Sequence, residues 1–141
     1  MQHLKNISGL YIVTLKNSEP ISVNANDPRR ANSSIKVNEM NCKFGKAKCL
    51  YRRMKNYQKV FGEQNVNFEP IIFMTEIDEA EKLILNELST FRVRGKTGKP
   101  NEWLVGIQKQ MIIQIVHSTL KLHNFNFETN NYSLQNDKKA A

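Results

Sequence analysis

Leu50, Met54, Tyr57 and Phe61 recur at i, i+4, i+7 and i+11, which sets four apolar side chains along one stripe of a helix. A helix with a single apolar stripe has to bury it against another layer. The neighbouring chain offers strands for that layer. Ile7–Lys16 contains GLYIVTL, rich in β-branched and aromatic types, behind the turn-like Ser8-Gly9. Ser34–Phe44 carries Ile35, Val37 and Met40 and reads as a second strand, closed by Gly45. Between them, Asn17–Ser33 holds Pro20, Pro28 and several asparagines and reads as a long loop, with room for a short edge strand at Ile21 and Val23.

The striped helix is expected from about Lys48 to Val60, with Gly62 as its stop. Phe68–Thr75, FEPIIFMT, reads as a third strand. Thr75 is then a candidate N-cap for a second helix that runs to about Phe91, with Ala80, Ile84, Leu88 and Phe91 on one face. A basic, glycine-containing loop, RVRGKTGKPNE, precedes a last helix expected over Trp103–Leu122. The order β-β-α-β-α-α predicts an α+β fold, with a small, three-stranded, mainly antiparallel sheet flanked by helices. A length of 141 residues supports one domain, placed at 1–128, with a polar C-terminal tail at 129–141.

The formal charge of +8 is unevenly spread. Lys43, Lys46, Lys48, Arg52, Arg53, Lys55 and Lys59 form one run without an acid, and Arg92, Arg94, Lys96 and Lys99 form another. Arg29 and Arg30 make a third group, whereas acids gather at Glu76, Asp78, Glu79, Glu81 and Glu87. Clustered cations of this kind draw polyanions, because each neutralised phosphate releases a counterion. The longest apolar runs, Ile71–Met74 and Met111–Val116, fall far short of the roughly 20 residues that span a bilayer. The opening MQHLKNIS lacks an apolar signal core, so the expectation is an intracellular, cytoplasmic protein without a membrane. Cys42 and Cys49 are too few for a disulfide framework and match no zinc spacing with the three histidines, so both are expected as reduced thiols.

Separated short motifs stand out against this background: Gly9-Leu10-Tyr11 in the first strand, then Lys43-Phe44-Gly45. Arg53 follows Gly45 by eight residues and Tyr57 by four more; Glu81 and Glu102-Trp103 come after. Over about Ser8 to Trp103 this set resembles the GIY-YIG nuclease superfamily. The likeness is closest to its phage and virus branch, where a lysine stands in place of the second tyrosine. The resemblance implies that Arg53 is the family's helix arginine, Tyr57 its His/Tyr position and Glu81 its metal-binding glutamate. It departs in the long step from Tyr11 to Lys43, which requires an excursion at Asn17–Ser33 between two sheet strands.

Phosphodiester hydrolysis needs an activated water, relief of charge on the phosphoryl oxygens and a stabilised leaving oxygen. In the resemblance Tyr11 activates or positions the water. Its phenol ordinarily ionises near pH 10, and a cation beside it, such as Lys43, favours the phenolate. Arg53 grips a non-bridging oxygen with a forked, permanent charge, and Tyr57, one turn on, points to the same site while also belonging to the apolar stripe. Glu81 ligates Mg²⁺ or Mn²⁺. Lys46, Lys48, Arg52, Arg92, Arg94, Lys96 and Lys99 contact the nucleic-acid backbone. His117 is read as a helix residue without a catalytic part. The function that follows is a metal-dependent DNA endonuclease, a hydrolase that is a phage or viral protein if the branch holds and then acts in the host cytoplasm. The alternative is a non-catalytic DNA- or RNA-binding module of the same fold. A basic subunit of a larger assembly, through a homodimer or a partner chain, is a third reading that rests on Trp103 and the apolar last helix.

Overall fold

The strand GLYIVTL has nearly every side chain inside, which requires cover on both faces. In the computed structural model, which describes residues 4–95 and 98–130, it is β1 (Gly9–Leu15). It pairs antiparallel with β4 (Asn41–Ala47) on one side and β5 (Val66–Phe73) on the other. Beyond β4 comes β7 (Pro100–Val105), then β6 (Arg92–Arg94); beyond β5 lies β8 (Glu128–Thr129). The sheet is thus six-stranded and antiparallel, in the order β6-β7-β4-β1-β5-β8, and not three-stranded as expected. A second, two-stranded sheet pairs β2 (Ile21–Ser22) with β3 (Lys36–Val37).

Side-chain alternation along β1 sorts the core into two layers. Leu10 and Ile12 face one way, together with Phe44, Ile72 and Leu104, and are covered by α2 (Ile77–Glu87) and α3 (Lys109–Leu122). Tyr11, Val13 and Leu15 face the other way, with Phe68 and Trp103, and are covered by α1 (Leu50–Phe61). The predicted stripe is the buried face of α1: Leu50, Met54, Tyr57 and Phe61.

The extra strands come from segments whose signals point elsewhere. Pro100-Asn101 resembles a helix start, yet Pro100–Val105 is strand β7, and α3 begins only at Lys109. Within β7, Trp103 goes to the α1 layer and Leu104 to the α2–α3 layer, so two adjacent buried residues conceal the alternation. The RVR of the basic loop is β6, an edge strand fixed only by its pairing with β7. The expected strand at Ser34–Phe44 is split: Lys36–Val37 belongs to the small sheet, and β4 starts at Asn41. Thr75 is not the cap of α2; Glu76 holds that position, without a side-chain hydrogen bond. Among the described residues, no helix is long and apolar enough to cross a membrane. Residues 131–141 of the expected tail lie outside the described residues.

Residues 16–40 leave the sheet between β1 and β4 and carry β2 and β3. This excursion is tied back by its own polar groups. Asn17 Nδ2 donates to the Val37 carbonyl at 3.1 Å, and Asn65 Nδ2 donates to Asn17 Oδ1 at 2.9 Å. Val37 is buried in the α1 layer.

Candidate active site

Two glycines make room for the first motif. Tyr11 lies opposite Gly45 across the β1–β4 ladder. A Cβ at Gly45 would stand 2.5 Å from Tyr11 Oη, so the phenol lies over bare backbone. A Cβ at Gly9 would run into the Ile72 carbonyl, next to the register shift between Leu10 and Tyr11. The glycines of both tripeptides are therefore steric requirements of the strand packing around one tyrosine.

The phenol of Tyr11 is fully buried and shares a hydrogen bond of 2.8 Å with Tyr57 Oη. Arg53 Nη1 donates to Tyr11 Oη at 3.3 Å. Tyr11, Tyr57 and Phe68 pack as an aromatic cluster with centroids 4.6 to 6.0 Å apart. Lys43 Nζ sits 5.0 Å from the Tyr57 ring centre and 3.3 Å from Glu102 Oε2. Helix α1 accounts for Arg53 and Tyr57: four residues apart, they share one side of the helix, with the tyrosine inward and the guanidinium at the rim.

Burial pushes the Tyr11 phenol well above its ordinary range; Tyr57 adds to this, and Lys43 and Arg53 oppose it without prevailing. The Tyr57 phenol is also raised, chiefly by burial. Burial thus favours the neutral, hydrogen-bonding form of both phenols. Burial disfavours the charge of Arg53, but the neighbouring phenol oxygen of Tyr11 leads the groups that hold its pKa above the usual value.

Glu81 is on α2, in the layer across the sheet from Tyr11 and Tyr57. The β4–β7 ladder covers only Asn41–Lys43 and Trp103–Val105, so Phe44–Ala47 has no β7 residue opposite it. At this end of the sheet Glu81 Oε1 lies 3.6 Å from Lys46 Nζ, which also holds Asp78 Oδ1 at 2.6 Å. Glu81 is only 8% exposed. Burial raises its carboxyl above the usual carboxylate range, the nearby Glu102 carboxylate adds to the shift, and Lys46 and Lys43 oppose it. A buried carboxylate with a second negative charge nearby is the kind of oxygen donor whose charge a hard divalent cation would relieve. Among the described residues no group of three or more His, Cys, Asp or Glu forms a metal cluster, so substrate oxygens and water would complete such a shell.

The structure brings Tyr11, Tyr57, Arg53 and Lys43 together directly, whereas Glu81 pairs with Lys46 and feels Glu102 and Lys43 only through their charge. The nucleic-acid set divides. Arg92 and Lys99, with Lys43 and Arg53, line a cleft of about 650 Å³ between α1, the β6–β7 hairpin and the excursion. Lys46, Lys48 and Arg52 line a smaller cleft of about 290 Å³, and Arg53 and Asn56 border both. Arg92 also anchors the hairpin, donating through Nε to the Asn101 carbonyl at 2.7 Å. Arg94 Nη1 donates to the Gly98 carbonyl at 3.0 Å, and Lys96 lies outside the described residues. His117 is on α3, in the layer across the sheet from Tyr11. Trp103 is buried against Phe61, at 5.7 Å between ring centres, so it is used inside the domain.

Glu102 and Arg30 are the site residues that sequence reasoning left without a role. The Glu102-Trp103 pair was visible, but its placement depends on β7 being a strand. Arg30 reaches the cleft only because the excursion folds back.

The fold is an antiparallel α+β domain that holds a buried tyrosine pair and an arginine beside a basic cleft. The T5orf172 domain matches residues 11–120, and the chain belongs to that family, a GIY-YIG-like, nuclease-associated domain. No curated protein and no solved structure matches the chain.

Proposed function

We propose that this domain is a metal-dependent endonuclease that hydrolyses phosphodiester bonds of DNA at the Tyr11–Tyr57–Arg53 cluster. The observation that carries this reading is the hydrogen-bonded chain from Tyr57 through Tyr11 to Arg53, whose guanidinium end belongs to a residue that borders two basic clefts. Arg53 binds a non-bridging phosphate oxygen, where a fixed planar charge offsets the charge that builds up at phosphorus. Its guanidinium is aimed by the phenol of Tyr11, which is itself held by Tyr57. In this reading Tyr57, which lines the larger cleft, and Tyr11 behind it orient the arginine, and burial favours the neutral form of both phenols. Lys43 brings a second cation, steadied by Glu102. Glu81 and Glu102 are the residues that would hold Mg²⁺ or Mn²⁺, which supplies positive charge for the leaving oxygen when bound.

A non-cleaving nucleic-acid-binding module is the second reading. It is favoured by the ion pair of Lys46 with Glu81, which occupies the carboxylate that a metal would use. One experiment separates them: supercoiled plasmid is incubated with Mg²⁺ and either the wild-type protein or Glu81→Ala. Nicking by the wild type alone supports the endonuclease. Retention of plasmid in a shifted complex without nicking by either protein supports the binding module.

A further inference from the structure

The 650 Å³ cleft has properties that catalysis at one phosphate does not require. Its walls come from three parts of the chain: α1, the β6–β7 hairpin and the excursion of residues 16–40. The antiparallel neighbours β1 and β4 could be joined by a short turn, so the length of the excursion is not a need of the sheet. It places Arg30 on the cleft wall, and Lys99 lines the same cleft from the hairpin. Both residues are exposed, and among the described residues neither makes an ion pair. The one acid lining the cleft, Glu102, is paired with Lys43. Between the cations lie apolar side chains, Val23, Ile35 and Val60, and the amides of Asn24 and Asn56.

The cleft is walled on three sides, with Ile35 of the excursion and Gly95 of the hairpin both in its lining. A double helix shows its phosphates on a broad cylinder and needs an open cationic face. A walled cleft of this volume instead suits a compact ligand, since such sites typically measure roughly 300–1,000 Å³. A cationic groove for the backbone with aromatic side chains for base faces is the pattern of single-strand binding, and Tyr57, Phe61 and Trp103 are the aromatic residues in this lining.

We infer that the excursion-walled cleft is a binding site for an unpaired DNA strand, with Arg30 and Lys99 on its phosphates, leading to Arg53. This deepens the endonuclease reading by naming its substrate class: DNA with single-stranded character beside the scissile bond. The strand continues past Arg53 into the smaller cleft lined by Lys48 and Arg52.

The test is fluorescence anisotropy in EDTA, where no cleavage occurs, with a fluorescein-labelled oligothymidine strand and a blunt duplex of equal length. The single strand is expected to bind at least about tenfold more tightly than the duplex. Arg30→Ala and Lys99→Ala are each expected to weaken single-strand binding roughly fivefold and to reduce the salt slope by about 1, with unchanged melting temperature. Lys121→Ala, on α3 across the sheet, serves as the control that leaves binding unchanged. Equal affinity for strand and duplex, or indifference to both cleft variants, overturns the inference. Its failure is distinct from that of the endonuclease reading: plasmid nicking without strand preference removes only the cleft assignment, and strand binding without nicking removes only the catalysis.

Discussion

At the scale of single residues, the site is built on steric permission and burial. Tyr11 is placed by the absence of side chains at Gly9 and Gly45, and its burial under the layer that α1 lays over it pushes its pKa up. Gly45→Ala puts a methyl group within 2.5 Å of Tyr11 Oη. The phenol must move out of register with Arg53 and Tyr57, at a cost of about 1–3 kcal/mol. Urea unfolding is expected to show that loss, and cleavage is expected to fall more steeply than stability because the aimed guanidinium is displaced. A Gly45→Ala protein of wild-type stability would mean that the strand has slack the geometry does not show. The sequence displayed these glycines, and it displayed Lys43, Arg53, Tyr57 and Glu81. It could not display the protonation of Tyr11, which depends on how completely Tyr57 and Phe68 exclude water.

At the scale of elements, α1 was legible and the edge strands were not. The stripe of α1 is long, strictly periodic and ended at Gly62, so local pattern and tertiary burial agree. Strand β7 is short and buried on both faces at Trp103 and Leu104, and β6 and β8 are only three and two residues long. Their identity lies in the neighbour and not in the segment, which is why three strands were visible and six are present. The loss of β7 from the sequence reading also hid Glu102. Helix α3 carries a prediction of its own. His117 is partly buried, its Nε2 has no hydrogen-bond partner among the described residues, and its ring faces Phe127 at 6.3 Å. Burial depresses its pKa, with Lys121 adding to the effect. The unfolded chain therefore binds this proton more readily, and stability present above the ordinary imidazole pKa of about 6.5 is lost as pH falls below it. In thermal melts across that range the wild type is expected to lose stability relative to His117→Leu as the pH falls, with the variant showing the flatter pH profile. A wild-type profile as flat as the variant's would remove His117 from the account.

At the scale of the whole molecule, the six-stranded sheet acts as a divider with an opening at one end. Helix α1 brings Arg53 and Tyr57 to one face, α2 carries Glu81 on the other, and the early end of the β4–β7 ladder lets Lys43, Glu102 and Glu81 influence one another. The basic runs seen in the sequence are split by this arrangement between two clefts that share Arg53. The central claim is that Arg53 acts on the scissile phosphate and is not merely one more cation for binding. The direct measurement is the Mg²⁺-dependent nicking rate of wild type and Arg53→Lys at saturating protein, with DNA affinity and melting temperature recorded on the same samples. Lysine keeps the charge but loses the planar fork that Tyr11 aims, so the account predicts a rate lower by about 100-fold or more, with affinity and stability nearly unchanged. A lysine variant that nicks at the wild-type rate would contradict it.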